Sequence, residues 1–92
     1  VSILAYDDVD DAVRLANDSD FGLSGSIFSS DADRAHEVAR RIRTGNISIN
    51  GLAMAPNVPF GGYKPSGLGR EGGPEGLDAF LETKAIYHVG VR

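Results

Sequence analysis

Residues 59–76 read PFGGYKPSGLGREGGPEG, and the meaning of this glycine-rich stretch determines how the whole chain is interpreted. Within it, residues 67–72 match G-x-G-x-x-G, the glycine spacing of the phosphate-binding turn in dinucleotide-binding folds. That turn follows a strand directly, opens a helix whose N-terminus faces the pyrophosphate, and precedes an acidic ribose ligand by about 20 residues. The pattern therefore has to be judged from the elements on either side of it.

The chain upstream of the glycine-rich stretch alternates between strand and helix patterns. Residues 1–6 form an apolar run typical of a strand, and strand candidates recur at residues 23–29 and 46–50. Between them, apolar residues recur at i, i+3, i+4 and i+7, the spacing of one helix face. The two sets are Val9, Ala12, Val13 and Ala16, and Ala35, Val38, Ala39 and Ile42. This order of elements, with short connections, predicts parallel βαβ units.

A long loop and a short helix are predicted after the third strand. Residues 51–73 hold three of the four prolines and seven glycines, and a loop of this length in a compact domain is usually functional. Pro74 suits the first turn of a helix, and residues 83–91 then predict a final strand. The predicted fold class is α/β, with a β-α-β-α-β parallel-sheet fragment followed by a long Gly/Pro loop, a short helix and a C-terminal strand.

This context argues against a dinucleotide site at residues 67–72. The nearest predicted strand ends at Asn50, and a proline-rich loop separates it from Gly67. Counting about 20 residues beyond the motif leads to residues 87–92, which contain no acidic side chain. The remaining chain is also too short to complete a βαβ unit. The glycines are therefore predicted to form a tightly folded loop.

Composition argues against several classes of function. A chain of 92 residues forms one domain at most, and its net charge of −4 argues against a nucleic-acid or anionic-membrane surface. It has no cysteine, which excludes a disulfide, a thiolate metal site and a cysteine nucleophile within these residues. The acidic residues 7–11 lack the glycine and distal glutamate of a calcium-binding EF-hand loop and are predicted to cap a helix.

The apolar runs and the N-terminal residues suggest where the protein is located and whether it is part of a longer one. No apolar run reaches transmembrane length and no signal peptide is visible, so we expect a cytoplasmic protein. The chain opens inside an apolar run without an initiator methionine, and we therefore expect it to be part of a longer protein.

The glycine-rich stretch and its surroundings resemble the C-terminal part of the NAD(P)-dependent aldehyde dehydrogenases. The family pattern there is P-F-G-G-x-K-x-S-G-x-G-R-E, followed by a short helix and by E-x-K before a final strand. Every fixed position is matched, by Pro59, Phe60, Gly61, Gly62, Lys64, Ser66, Gly67, Gly69, Arg70, Glu71, Glu82 and Lys84. The segments ANDSDFGLSGSIFSSD (residues 16–31) and RTGNISIN (residues 43–50) are also similar to the family, so the resemblance covers essentially all 92 residues.

The resemblance implies a division of the chain and an incomplete active site. Residues 1–82 resemble the distal part of the catalytic domain, and residues 83–92 resemble the C-terminal oligomerisation strand. The family's catalytic cysteine, glutamate base, oxyanion asparagine and cofactor domain all lie upstream of this segment, so no catalytic residue is expected in this chain. The parent enzyme would oxidise an aldehyde to a carboxylic acid with NAD or NADP. The chain alone is expected to be inactive and to bind neither cofactor.

Individual residues take their expected roles from the same resemblance. Phe60 corresponds to a phenylalanine that walls the substrate tunnel, while Leu52 and Met54 fall in the variable loop that shapes substrate choice. For Met54, a core or solvent-shielding role is the alternative, since methionine fills gaps readily. Arg70 and Glu82 resemble an ion pair that ties the last strand to the glycine-rich loop at the subunit interface. The residues expected to shape the loop itself are Gly61, Gly62, Lys64, Ser66, Gly67 and Gly69.

Three functions remain open at this point. The first is the C-terminal portion of an aldehyde dehydrogenase, whose partners would be the missing N-terminal part of the enzyme, an aldehyde substrate and the other subunits of a homo-oligomer. The second is a stand-alone, non-enzymatic assembly or binding module derived from the same fold. The third is a free-standing nucleotide-binding module, which requires the G-x-G-x-x-G turn to bind phosphate. No nucleic acid, membrane or metal is expected as a partner.

Overall fold

A parallel pair of strands joined by a helix forms the centre of the chain in the computed structural model, which describes residues 1–90. The elements are α1 (Val9–Asn17), β1 (Ser24–Ile27), α2 (Ala32–Arg41), β2 (Asn46–Ile49), a 3-10 turn (Lys64–Ser66) and α3 (Gly73–Asp78). β1 and β2 pair from Ser24 opposite Asn46 to Ile27 opposite Ile49. The unit β1–α2–β2 is therefore a βαβ unit, and the predicted α/β class with parallel pairing is confirmed.

Aspartate side chains cap the N-termini of α1 and α2. The carboxylate of Asp8 accepts a hydrogen bond from the Asp11 amide at 2.8 Å, and that of Asp31 accepts one from the Arg34 amide at 3.0 Å. Each bond satisfies one of the amides that a helix N-terminus leaves without an intrahelical partner. The predicted capping role of residues 7–11 is confirmed for α1.

A single asparagine joins the C-terminal ends of the same two helices. Asn17, the last residue of α1, donates from Nδ2 to the Arg41 carbonyl oxygen at 2.9 Å and accepts the Arg43 amide on Oδ1 at 2.8 Å. An ion pair between Arg41 and Asp10, 2.6 Å apart, adds a second link between the helices. The two helices are thus held together by polar contacts at their ends.

The hydrophobic core is small. Among residues 1–90, the buried apolar side chains are Val13 on α1 and Ala35 on α2, which are 8% and 1% exposed. Large apolar side chains are instead exposed along the whole chain, including Ile3, Leu4, Phe21, Phe28, Leu52, Met54, Leu68, Leu77, Phe80, Leu81, Ile86, Tyr87 and Val89. Burial of apolar surface is the main force that stabilises a fold, so these elements lack much of the covering that a complete domain supplies.

Both ends of the chain differ from the strands expected there. Residues 1–6 are exposed and belong to no strand, so the first strand of the predicted β-α-β-α-β order is not formed in this chain. Residues 83–89 are exposed and likewise lie outside any strand, and residues 91 and 92 of the expected oligomerisation strand lie outside the described residues. The physical reason is that a strand needs a hydrogen-bonded neighbour, and these two segments have none within residues 1–90.

The last helix is short, as predicted. α3 begins at Gly73 with Pro74 in its first turn, as predicted, and it ends at Asp78, before Phe80 and Leu81.

None of the helices described within residues 1–90 has both the length and the apolar character that crossing a membrane requires.

Candidate functional site

The PFGG segment lies against the start of β2. Asn46, the first residue of β2, donates from Nδ2 to the Pro59 carbonyl oxygen at 3.2 Å and accepts the Gly61 amide on Oδ1 at 3.3 Å. The residue before it must be glycine, because a Cβ at Gly45 would overlap the Gly61 carbonyl oxygen. The side-chain amide of Asn46 thus fixes the segment to the sheet, and the absence of a side chain at Gly45 allows the two backbones to come close.

The other side of the PFGG segment is paired with Glu71. The Phe60 amide donates to the Glu71 carbonyl oxygen at 2.7 Å, and the Glu71 amide donates to the Phe60 carbonyl oxygen at 2.8 Å. This pair is an isolated antiparallel bridge, and the Phe60 side chain that it presents is half-buried. Phe60 therefore has its backbone fixed on both sides while part of its ring stays accessible.

Arg70 stabilises the glycine-rich loop through hydrogen bonds to its main chain. Its Nη1 donates to the carbonyl oxygens of Gly62 at 3.0 Å and Gly69 at 2.7 Å. A Cβ at Gly61 would lie 2.8 Å from the Arg70 Cδ and would also meet the Gly69 carbonyl oxygen. Close approach of backbone to backbone accounts for this glycine.

Tyr63 attaches the loop to the segment before β1. Its amide donates to the Gly22 carbonyl oxygen at 2.8 Å, and the Gly22 amide in turn donates to Ser66 Oγ at 2.8 Å. The guanidinium carbons of Arg43 and Arg70 lie 5.9 and 5.6 Å from the centre of the Tyr63 ring. These distances are within the range of cation–π attraction, which adds to the hydrogen bonds that hold the loop in place.

Lys64 caps the C-terminal end of α1. Its ammonium donates to the carbonyl oxygens of Asn17 and Ser19, at 2.9 Å each. A cation at this end of a helix is stabilised by the helix dipole and by the carbonyl groups that lack intrahelical partners. This position of Lys64 supports the structural role that was expected for it.

The glycines of the G-x-G-x-x-G pattern adopt a geometry different from that of a phosphate-binding turn. The 3-10 turn Lys64–Ser66, not a strand, precedes Gly67. Gly67, Gly69 and Gly72 have φ values of 135°, 81° and 72°, and a Cβ at Gly72 would lie 2.9 Å from the Val58 carbonyl oxygen. α3, which follows, has only six residues. The residues of the pattern therefore serve the turns of the loop and do not form a cradle that fits a dinucleotide.

The other expected pocket residues stand apart from this packed loop. Leu52 and Met54 lie in the irregular segment between β2 and Pro59, and their side chains are 85% and 75% exposed. Met54 therefore fills no core within this chain. Hydrogen bonds fix the backbone around Phe60, whereas the side chains of Leu52 and Met54 have little protein around them.

The expected ion pair between Arg70 and Glu82 does not form within residues 1–90 of this chain, and its presence at a subunit interface stays a prediction. Among residues 1–90, the ion pairs are Asp11 with Arg14 and Asp10 with Arg41. Arg70 instead uses its guanidinium on the carbonyl oxygens within the loop. Glu82 lies in the exposed segment that follows α3, where no strand forms to bring it back to the loop.

Sequence reasoning missed the asparagine at residue 46. Its side chain joins β2 to the PFGG segment, 13 to 15 residues further along the chain. The available signal was composition, because asparagine is depleted in strands and here begins one otherwise rich in isoleucine.

The described residues contain the framework of a site and little reactive chemistry. Within residues 1–90, no three His, Cys, Asp or Glu side chains are grouped so that they could hold a metal ion. The pKa of Asp11 is lowered, first by the hydrogen bond from Arg14 and then by that from the Asp7 amide, in an ion pair on the protein surface. The arrangement can shape a surface around Phe60 but shows no nucleophile paired with a base.

Comparison with known proteins identifies the family to which these strands, helices and the glycine-rich loop belong. The sequence model described as "Aldehyde dehydrogenase family" matches residues 1–86, a range that includes both strands, all three helices and the loop. The chain belongs to the aldehyde dehydrogenase family. A putative aldehyde dehydrogenase of Staphylococcus saprophyticus is 49% identical over 86 residues, which are 94% of this chain and 18% of the relative. The geranial dehydrogenase of Castellaniella defragrans is 48% identical over 90 residues, which are 98% of this chain and 19% of the relative.

Solved structures of aldehyde dehydrogenases contain the same fold. An aldehyde dehydrogenase of Mycobacterium tuberculosis, complexed with NAD+, superposes with a TM-score of 0.88 at 44% identity, over 95% of this chain and 18% of that one. The betaine aldehyde dehydrogenase of Staphylococcus aureus, in complex with NAD+, gives a TM-score of 0.82 at 42% identity, over 86% of this chain and 16% of that one. This aldehyde dehydrogenase chain therefore spans about a fifth of the length of the relatives that it matches.

Proposed function

We propose that this chain is the C-terminal portion of an enzyme that oxidises an aldehyde to a carboxylic acid with NAD+ or NADP+. The observation that carries the proposal is the superposition, at 44% identity, on an aldehyde dehydrogenase that was crystallised with NAD+. The geranial and betaine aldehyde dehydrogenases among the relatives act on aldehydes of very different polarity. The substrate class proposed here is accordingly an aldehyde of unspecified side chain.

Catalysis is assigned to the part of the enzyme outside this chain. The chain has no cysteine to attack the aldehyde, and its G-x-G-x-x-G turn follows a 3-10 turn and not a strand. Neither the catalytic group nor the cofactor is therefore placed on these residues, and the 92-residue chain is proposed to be inactive by itself.

Residues 1–82 are proposed to supply one wall of the substrate pocket. Phe60 suits this role because its backbone is hydrogen-bonded on both sides while its ring is only half-buried. Leu52 and Met54 are proposed to line the same pocket, since apolar side chains exposed to this degree gain stability when further protein covers them. The glycine-rich loop is the support that holds Phe60 against the sheet.

Residues 83–92 are proposed to form the strand that joins subunits of a homo-oligomer. The described part of this segment is exposed and has no strand partner among residues 1–90, although it carries the large apolar side chains Ile86, Tyr87 and Val89. An unpaired extended segment can add to the edge of a neighbouring sheet through its main-chain hydrogen bonds.

The experiment that tests the proposal compares the full-length gene product with the 92-residue chain. Each is mixed with NAD+ and then, separately, with NADP+, and formation of the reduced cofactor is followed spectroscopically with propanal and with benzaldehyde. We expect turnover by the full-length protein and none by the chain. A full-length protein that turns over neither aldehyde with either cofactor, while still binding a partner protein, would favour the stand-alone assembly module instead.

A further inference from the structure

The backbone on both sides of the Phe60 Cα is fully hydrogen-bonded. The amide and carbonyl of Phe60 itself bond to Glu71, at 2.7 and 2.8 Å. The Pro59 carbonyl and the Gly61 amide bond to the side chain of Asn46, at 3.2 and 3.3 Å. The carbonyl and the amide of each peptide group point in opposite directions, so each of the two groups bonds to Glu71 on one side and to Asn46 on the other. Both peptide groups that flank Phe60 therefore have fixed orientations.

We propose that Asn46 is the positioning residue that directs the Phe60 side chain into the substrate pocket and thereby sets the affinity for the aldehyde. The inference rests on the proposed function, in which Phe60 is part of the pocket wall. Asn46 touches neither substrate nor cofactor in this proposal and acts only through the backbone of residues 59–61.

An asparagine is the side chain that this geometry requires. The contact needs one donor for the Pro59 carbonyl and one acceptor for the Gly61 amide, and a neutral amide supplies both. Aspartate keeps the acceptor and loses the donor, while leucine has nearly the same shape and loses both. Removal of the amide leaves the Pro59 carbonyl and the Gly61 amide partly buried and without hydrogen-bond partners. This cost favours rearrangement of residues 59–61.

Asn17 provides a matched control in the same chain. Its amide also donates to one carbonyl and accepts the amide two residues further on, at Arg41 and Arg43, with distances of 2.9 and 2.8 Å. This contact joins α1 to the end of α2 and does not involve residues 59–61. The same substitutions at residue 17 therefore remove a pair of hydrogen bonds of the same pattern and leave the bonds to Pro59 and Gly61 in place.

The test is a double-mutant cycle in the full-length enzyme, with benzaldehyde and NAD+ as probes. The variants are Asn46→Leu, Phe60→Ala and the combination of the two, with Asn17→Leu as control. We expect Asn46→Leu to raise KM for benzaldehyde by about fivefold to tenfold and to leave KM for NAD+ unchanged. Because Asn46 acts through Phe60, the same substitution should have no further effect on KM when Phe60 is already alanine. Asn17→Leu should lower Tm and leave KM for benzaldehyde unchanged.

Three outcomes would overturn the inference. They are an unchanged KM in Asn46→Leu, an equal rise in KM with and without the Phe60 ring, and an equal rise in Asn17→Leu. If Asn46→Leu yields no soluble protein, Asn46→Asp replaces it in the cycle against Asn17→Asp, with the same expectations. Absence of turnover in the unmodified enzyme would overturn the proposed function itself, which separates that failure from a failure of the role of Asn46.

Discussion

The ammonium group of Lys64 lies against the last turn of α1, where it donates to the main-chain carbonyl oxygen of Asn17 at 2.9 Å. The side chain of the same asparagine bonds to the backbone at the end of α2. The glycine-rich loop, α1 and α2 thus meet at one residue. The loop is therefore held by the end of α1 and the residues just after it, which lie 45 to 47 residues earlier in the chain.

Loss of the Lys64 ammonium should destabilise the enzyme without a change in chemistry. Lys64→Met leaves the Asn17 and Ser19 carbonyl groups without this partner, and we expect the free energy of unfolding of the full-length protein to fall by about 1–2 kcal/mol. Arg40→Met, at an exposed position on α2, is the control and should change it by less than about 0.5 kcal/mol. Equal effects in urea unfolding would contradict the capping role.

A methyl group at Gly45 should prevent the PFGG segment from docking on β2. The added Cβ of Gly45→Ala would overlap the Gly61 carbonyl oxygen, so the two backbones must separate. We expect a loss of about 3 kcal/mol or more, seen as a lower Tm and a lower soluble yield. Gly51→Ala is the matched control, because a Cβ there meets nothing within 4 Å. A Tm for Gly45→Ala equal to that of Gly51→Ala would show that the close approach does not occur.

The ion pair between Arg14 and Asp11 should make a pH-dependent contribution to stability. The hydrogen bond from Arg14 is the main cause that lowers the pKa of Asp11 from its ordinary value of 3.8. A carboxyl group whose pKa is lowered in the folded state contributes stability above the unfolded pKa, and this contribution disappears as pH falls through the folded value.

Arg14→Gln should therefore lower the Tm of the full-length protein at pH 6, and the difference from the unmodified protein should shrink as pH falls below 3.8. Arg34→Gln, which removes an exposed arginine outside the two ion pairs described for residues 1–90, is the control. A Tm difference for Arg14→Gln that stays constant between pH 6 and pH 3 would exclude this ion pair as its cause.

Charges on one face of the C-terminal segment should weaken subunit association. Tyr87 and Val89 are 84% and 89% exposed in this chain, and in a strand they would share a face. We expect Tyr87→Asp and Val89→Asp to shift the full-length protein to smaller oligomers, as measured by light scattering after size-exclusion chromatography. His88→Asp, on the opposite face of such a strand, should have a smaller effect. An equal effect of all three substitutions would contradict pairing in which one face is buried.

The predictable part of the fold is the part decided by local spacing. The i, i+3, i+4, i+7 pattern correctly predicted α1 and α2, and the acidic residues 7–11 correctly predicted the cap of α1, because a helix is specified by residues within one or two turns of each other. The parallel pairing of β1 with β2 followed from the helix between them. The expected strand over residues 1–6 failed, since an apolar run specifies a strand only where a neighbouring strand is present.

The candidate site was predictable in part for the same reason. The family motif singled out Phe60 and the glycines around it, but not Asn46, whose amide bonds from the start of β2 to the residues on either side of that phenylalanine. The motif also suggested an ion pair between Arg70 and Glu82, whereas Arg70 bonds to the carbonyl groups beside it. Which side-chain and main-chain groups become partners depends on how distant segments pack.

The sequence by itself determined the family, the two helices α1 and α2, the cap of α1 and the absence of a cysteine nucleophile, because each of these can be identified from residue types and short spacings. Only the tertiary structure decided that Lys64 closes α1, that Gly45 admits the Gly61 carbonyl, and that Asn46 and Glu71 hold Phe60 from opposite sides. The physical reason is that these contacts join residues far apart in the chain, and their partners become defined only once β2 and the glycine-rich loop have packed together.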